Sequence, residues 1–335
     1  LIQDILNDLQ AFEHREVIRK GYCRLWEMVQ YARSEEPEQQ DIETFSAFCW
    51  KELLRPTIKL RTVTGQKSSL KVLHGFKKVI LFEDLTYRFI NEYDRYLHRR
   101  YKNKNTMHKH HRVLKTYINL AIKFGYIPTG QNPYDRFTPQ RQEPKRVFLS
   151  LEELREIEAL TFPQHKRHLE QIKDMFLLTC YTGLRVSDLI SLAPVHIERG
   201  NDGLEIRKRM EKTEKMLRLP LRLLFKKSGT VQSEPERIIQ RNLDRRKKEN
   251  EHYPIFKVTA QYYNRELKTL ASMAGINKRL TSHVGRRTFS TVLSQLVNPT
   301  TLKELLRHSD FKTTMLYVNL GGRDIDRDLS KVNWD

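Results

Sequence analysis

The apolar positions of this chain recur mostly at helical spacing. Ile2, Ile5, Leu6, Leu9 and Phe12 keep to one face, and Tyr22, Leu25, Trp26 and Val29 fall at i, i+3, i+4 and i+7, so residues 1 to about 33 read as helical. The stretch Ser34-Glu-Glu-Pro-Glu-Gln-Gln breaks that pattern, and a second helical region covers about 41–127. Pro133, Pro139 and Pro144 then fall within twelve positions among polar residues, which reads as a linker and sets a boundary near 138–148. Ser150-Leu-Glu-Glu has the form of a capping box and opens a helix through Leu160. Beyond it, Ile172 to Thr182 reads as a buried helix. Val195–Glu198, Leu204–Arg209 and Met216–Pro220 alternate like short strands, the last two joined by a turn at Glu211–Glu214. Helical spacing resumes over about 236–250, 260–274, 281–295, 300–307 and 311–319, and Ile325, Leu329 and Val332 give the tail after Gly321-Gly322 one apolar stripe. The pattern predicts a mainly α chain with a small antiparallel β-sheet, divided as 1–40, 41–137, a linker at 138–148, 149–320 and a tail at 321–335.

Composition adds a partner class. The 335 residues hold 61 Lys and Arg against 41 Asp and Glu, a formal net charge of +20, and 39% are hydrophobic, enough to bury real cores. Such an excess points to a polyanion, either nucleic acid or an anionic membrane surface. The membrane reading weakens because the longest apolar run, around Met175 to Tyr181, is far shorter than the roughly 20 residues a span requires. Cys23, Cys49 and Cys180 are odd in number and lack CxxC spacing, which fits a reducing cytoplasm better than a disulfide scaffold or a cysteine zinc site. The chain opens on Leu1 rather than Met, which leaves room for a segment upstream.

The excess charge concentrates between residues 99 and 115, where seven Lys or Arg occur with no acid. A solvated helix face normally interleaves both signs, so Arg99, Arg100, Lys102, Lys104, Lys109 and Arg112 are candidate phosphate contacts. Asn105 or Thr106 is the expected N-cap of the helix that follows. His108, His110 and His111 invite a metal reading, but the sequence sets no carboxylate beside them, and no metal is expected.

Several familiar sites are absent: there is no GxxxxGK[ST], HExxH or GxSxG string, and carboxylates form no compact two-metal constellation. Chemistry on phosphodiesters would therefore have to draw on the chain's own cations. Arg185 in Thr182-Gly-Leu-Arg sits at a helix junction, Lys212 in a strand–strand turn, and His283 and Arg286 at i, i+3 on one helical face. His308 and Tyr317 are nine positions apart, on opposite faces of any continuous helix. A break at Ser309-Asp310, both good N-caps, would let them converge. Taken singly, each of these residues has an ordinary structural explanation.

Together, the strings TGLRVSDLISL, EKTEKMLRLPL, LTSHVGRRTFST and LLRHSDFKTTMLYVN resemble the catalytic set of the tyrosine recombinase (phage integrase) family, most closely the integrases of mobile elements from Bacteroidetes-type bacteria. The resemblance is strong over about 150–320 and looser over about 41–137. It implies a helical core-type DNA-binding domain at 41–137, a mixed α/β tyrosine-recombinase catalytic domain at 149–320, a 1–40 segment serving as arm or partner region, and a tail exchanged between protomers. It further implies Tyr317 as nucleophile, Arg185 and Arg286 as a transition-state clamp, Lys212 as general acid, His283 as proton acceptor or relay and His308 as support for the scissile phosphate. The implied function is site-specific strand exchange on double-stranded DNA through a 3′-phosphotyrosyl link, without metal, ATP or other cofactor. The implied setting is a homotetramer on paired sites, with accessory DNA-bending proteins, in a bacterial or phage-encoded cytoplasmic context on the nucleoid. A resolvase of chromosome or plasmid dimers would use the same residues, a type IB topoisomerase would share the chemistry, and a silent DNA-binding accessory protein would keep the fold alone. Two departures stand out: Arg307 occupies a position where the family usually carries glycine, which leaves the turn geometry open and offers another phosphate contact, and Gly285 lies inside a helix.

Overall fold

The computed structural model describes residues 2–20, 44–143, 146–200, 203–226, 228–245, 250–308 and 310–321. The expected helical continuation over 21–33, the Ser34 to Gln40 break and the tail from residue 322 lie outside the described residues. The chain is mainly helical with one small antiparallel sheet, and it divides into two compact units, Leu1–Pro144 and Lys145–Asp335. No described helix is long and apolar enough to cross a membrane.

The first unit contains α1 (Ile2–Lys20), α2 (Phe45–Leu53), α3 (Leu60–Phe76), α4 (Tyr87–Arg100) and α5 (Lys104–Lys123). Three of these helices start at a side-chain cap. Thr44 and Thr86 cap α2 and α4 through their hydroxyls, and Asn103 Oδ1 accepts from Asn105 N–H at 2.8 Å to start α5. The α5 cap thus lies two or three residues before the Asn105 or Thr106 expected from the sequence, because Asn103 is the first side chain able to reach the free N–H groups. Phe45, Phe48, Ile90, Tyr93, Leu97, Leu114 and Ile118 form the core, and His14 of α1 stacks on Trp50 of α2 at 4.7 Å.

Two histidines of the basic segment belong to that core. His110 Nδ1 meets Ser69 Oγ at 3.1 Å, and His111 bridges Tyr134 Oη at 2.9 Å and Asp94 Oδ1 at 3.0 Å. A carboxylate therefore does lie beside His111, supplied from α4 across the core rather than from its own helix. Burial, helped by Lys109, His111 and Arg100, pushes His110 down to about 4. Below pH 6.5 the unfolded chain therefore binds a proton that the folded chain refuses, so this site loses stability as pH falls from 6.5 towards 4. His110→Phe should flatten the dependence of urea unfolding free energy on pH by about 1.4 kcal/mol per pH unit across that window. Parallel curves for the variant and the parent would show that His110 is not neutral in the fold.

The second unit opens with α6 (Leu151–Ala159), where the Ser150 box is complete: Ser150 Oγ accepts from Glu153 N–H, and Glu153 Oε2 accepts from Ser150 N–H at 2.8 Å. Its centre is α7 (His168–Thr182), whose Ile172, Met175, Phe176, Leu178 and Cys180 are fully buried. Around it pack α9 (Glu234–Asp244), α10 (Ala260–Met273) and α11 (Ser282–Leu293). Gly285 has its reason here: a Cβ on it would lie 3.0 Å from Thr179 Cγ2, so the glycine lets α11 approach α7 closely.

The short α8 (Val186–Ile190) leads into β1 (Ile197–Gly200), β2 (Gly203–Arg209) and β3 (Met216–Pro220), ordered β1-β2-β3 and antiparallel throughout. The first strand begins two residues later than its alternation suggests. Pro194 has no N–H to give a ladder, and residues 194–196 instead make a tight turn in which His196 Nδ1 accepts from Ala193 N–H at 3.0 Å. On β2 and β3, Leu204, Ile206, Leu217 and Leu219 face the core. The remaining helices are α12 (Pro299–Leu306) and α13 (Phe311–Gly321), both packed near α11.

Candidate active site

Gly183 ends α7 in the left-handed region at φ 66°, where an added Cβ would lie 2.4 Å from Phe289 Cδ1. The chain then turns through buried Leu184 and sets Arg185 at the N-cap of α8 in an extended conformation, φ −73° and ψ 154°. That side chain is half-buried. Its Nη1 is shielded from solvent and has no hydrogen-bond partner among the described residues. A guanidinium nitrogen left unpaired in this way is costly unless an anion completes it.

Arg286 of α11 reaches the same place from behind and is only 6% exposed. It donates through Nη1 to Gly183 O, and through Nη2 to Leu306 O at 2.7 Å and His308 Nε2 at 3.2 Å. Burial and then the charge of Arg185 lower Arg286 to about 10, with Tyr317 and Asp188 opposing the shift. Two cations thus share a partly desolvated pocket, a field that favours an anion carrying more than one oxygen.

His308 is buried beside them, and burial followed by Arg286 and Arg185 pushes it down to about 4. Arginine only donates, so His308 Nε2 must accept, and its proton sits on Nδ1, which donates to Thr314 Oγ1 at 3.0 Å. His308 therefore holds Arg286 in place as a neutral ring. Its other face meets Tyr317, the two rings stacked with centroids 6.0 Å apart and planes 19° off parallel. The chain leaves α12 at Arg307, left-handed at φ 50° and ψ 44°, and α13 starts only at Phe311, with Asp310 Oδ1 accepting from Lys312 N–H, so the helix is interrupted between His308 and Tyr317 at the expected place. Ser309 itself lies outside the described residues. A left-handed residue other than glycine costs roughly 1–2 kcal/mol.

Lys212 lies exposed in the β2–β3 turn, whose ends are closed by Met210 N–H to Lys215 O at 3.0 Å and Glu214 N–H to Met210 O at 2.8 Å. His283, at the start of α11, has a lowered pKa through desolvation and then the charges of Arg287, Arg286, Lys212 and Arg185. His283 is thus within electrostatic reach of both Lys212 and the arginine pair. Asp188, Thr314 and the Gly183 carbonyl complete the set and were not singled out from sequence. Asp188 is fully buried and accepts from Glu211 N–H at 2.7 Å, which ties the turn bearing Lys212 to the helix bearing Arg185. Burial raises its pKa, with Glu211 N–H, Arg185 and Lys208 pulling the other way. Its i+3 spacing from Arg185 was a readable cue. Thr314 and Gly183 O carry no sequence signal of their own.

Arg99, Arg100, Lys102, Lys104, Lys109 and Arg112 are all exposed on the first unit, at the end of α4, in the connection and on α5. Among the described residues, no group of three or more His, Cys, Asp or Glu side chains gathers as metal ligands do.

The family description "Phage integrase family" matches residues 148–322, and "Phage integrase SAM-like domain" matches 44–138. A curated relative named tyrosine recombinase XerA, from Saccharolobus solfataricus, is 27% identical over 184 residues, 53% of this chain and 57% of its own. The match therefore spans little more than half of that relative's length. Among solved structures, the Tn1549 transposon integrase in complex with a circular intermediate DNA aligns at a TM-score of 0.67 and 18% identity, covering 87% of this chain and 100% of that one. Lambda integrase, as a tetramer bound to a Holliday junction, aligns at 0.66 and 16% identity, covering 97% and 89%. These identities speak for the fold, while the family match extends over more than half of the sequence and takes in Arg185, Lys212, Arg286, His308 and Tyr317: the chain belongs to the phage integrase family.

Proposed function

We propose that this chain is a site-specific tyrosine recombinase that cuts and rejoins double-stranded DNA through a 3′-phosphotyrosyl intermediate. The observation that carries the reading is the unpaired, shielded Arg185 Nη1 beside buried Arg286, next to a tyrosine stacked on the histidine that holds Arg286. A phosphodiester non-bridging oxygen suits this pair of guanidiniums in charge and in hydrogen-bonding chemistry.

In this reading, Tyr317 Oη attacks phosphorus and passes its proton to His283. The P–O5′ bond breaks as the O–P bond forms, Arg185 and Arg286 cover the charge on the non-bridging oxygens, and Lys212 delivers a proton to the departing O5′. The phosphotyrosyl link conserves the phosphodiester, so a 5′-hydroxyl of a second strand reverses the step without ATP. His308 contributes by orienting Arg286, and Arg99, Arg100, Lys102, Lys104, Lys109 and Arg112 position the duplex through its phosphates. We further propose integration or excision of a mobile element by a tetramer on paired sites, aided by DNA-bending proteins. This reading is supported by resemblance in the motifs and by the Tn1549 integrase among the structural neighbours. Dimer resolution is the second reading, favoured by the XerA match.

A nicked suicide duplex carrying the recombination site, incubated with the protein in EDTA and run on an SDS gel, should give protein linked to the DNA 3′ phosphate. No linked band, or a band seen only with added divalent metal, would refute the mechanism. A two-site recombination assay run beside plasmid relaxation separates recombination from topoisomerase action.

A further inference from the structure

The turn between α12 and α13 pairs a strained backbone with an unused cation. Arg307 is the residue whose left-handed conformation sends the chain back so that Leu306 O and His308 Nε2 both reach Arg286 Nη2, at 2.7 and 3.2 Å. The site needs that conformation, and glycine would supply it without strain. The chain has an arginine instead. Arg307 Nε is shielded from solvent and makes no hydrogen bond to any described residue. Strain and an orphaned donor thus fall on one residue, bonded on both sides to residues that contact Arg286. Strained residues that persist next to a reaction centre are commonly kept there for function.

We propose that Arg307 is a DNA phosphate contact that grips the strand beside the cleaved phosphodiester. The proposal rests on the recombinase reading above and adds a positioning residue that the reaction chemistry does not require. A guanidinium suits a phosphate better than lysine would, because its fork offers two parallel donors. Because Nε makes no hydrogen bond to a described residue, the guanidinium gives up none when it turns to a phosphate. Binding therefore completes an interaction that the free protein lacks, and the cost of the left-handed turn is offset on DNA.

The test compares duplex binding across salt, together with thermal unfolding, for the parent, Arg307→Gly, Arg307→Ala and Arg307→Lys. Arg307→Gly should raise the unfolding midpoint by roughly 2–4 °C through relief of the turn, yet weaken DNA binding. One lost phosphate contact lowers the salt slope of log K by about 0.9, so the parent's advantage should shrink roughly threefold between about 50 and 200 mM salt. Arg307→Ala keeps the strain and loses the cation, so its binding should follow Arg307→Gly without the thermal gain. Arg307→Lys should recover the salt slope. If Arg307→Gly and Arg307→Ala bind with the parent's affinity and salt slope, Arg307 is only a strained turn and the proposal is overturned. A parent that binds no duplex overturns the recombinase reading itself, and this proposal with it.

Discussion

Tyr317→Phe should abolish the covalent DNA band on a suicide substrate while leaving duplex binding within about twofold. The phenolic oxygen is the only atom removed, and it forms the bond to phosphorus in the proposed mechanism, so no residual nucleophile of comparable reach replaces it. The ring survives, and with it the stack on His308 at 6.0 Å and the packing of Tyr317 against the second unit's core. Binding depends on the phosphate contacts, which the change leaves alone. A covalent band that persists in Tyr317→Phe would move the nucleophile elsewhere. Loss of binding together with the band would mean the hydroxyl supports the fold or the DNA complex rather than the chemistry.

Arg185→Ala should lower the cleavage rate by about 10²–10³, the usual effect of removing one preorganised donor to a developing oxyanion. The structure also sets what should not change. Arg185 Nη1 has no hydrogen-bond partner to lose among the described residues, and its charge works against Arg286 while favouring Asp188, so the opposing effects should keep the unfolding midpoint within about 2 °C of the parent. Arg286 differs in kind, since its removal strands Gly183 O and Leu306 O and empties the space behind His308. A large fall in stability for Arg185→Ala would make Arg185 a structural residue, and its inactivity would then say nothing about the clamp. Retention of full cleavage would remove it from the site.

Local chemistry made much of this fold readable. The Ser150 capping box, the β2 and β3 alternation and the buried face of α7 each follow from residues a few positions apart, and the structure has them where the pattern places them. The misplacements came from equally local competitors: Pro194 delayed β1, and Asn103 took the cap expected of Asn105 or Thr106. His111 was harder. Its partner Asp94 lies on another helix, and helical spacing says nothing about which two helices face each other.

The site divides along the same line. From the sequence alone came the residue types, their order, the charge of +20 and the need for a break between His308 and Tyr317. These depend on composition and on periodicities of a few residues. Only the tertiary structure decided that Arg286 is locked while Arg185 Nη1 has no hydrogen-bond partner among the described residues, that His308 is neutral with its proton on Nδ1, that Asp188 ties Lys212's turn to Arg185's helix, and that Arg307 bears the strain of the turn. Each of these is a matter of which groups are shielded from water and which partner lies within about 3 Å, and such distances are set by packing between elements far apart in the chain.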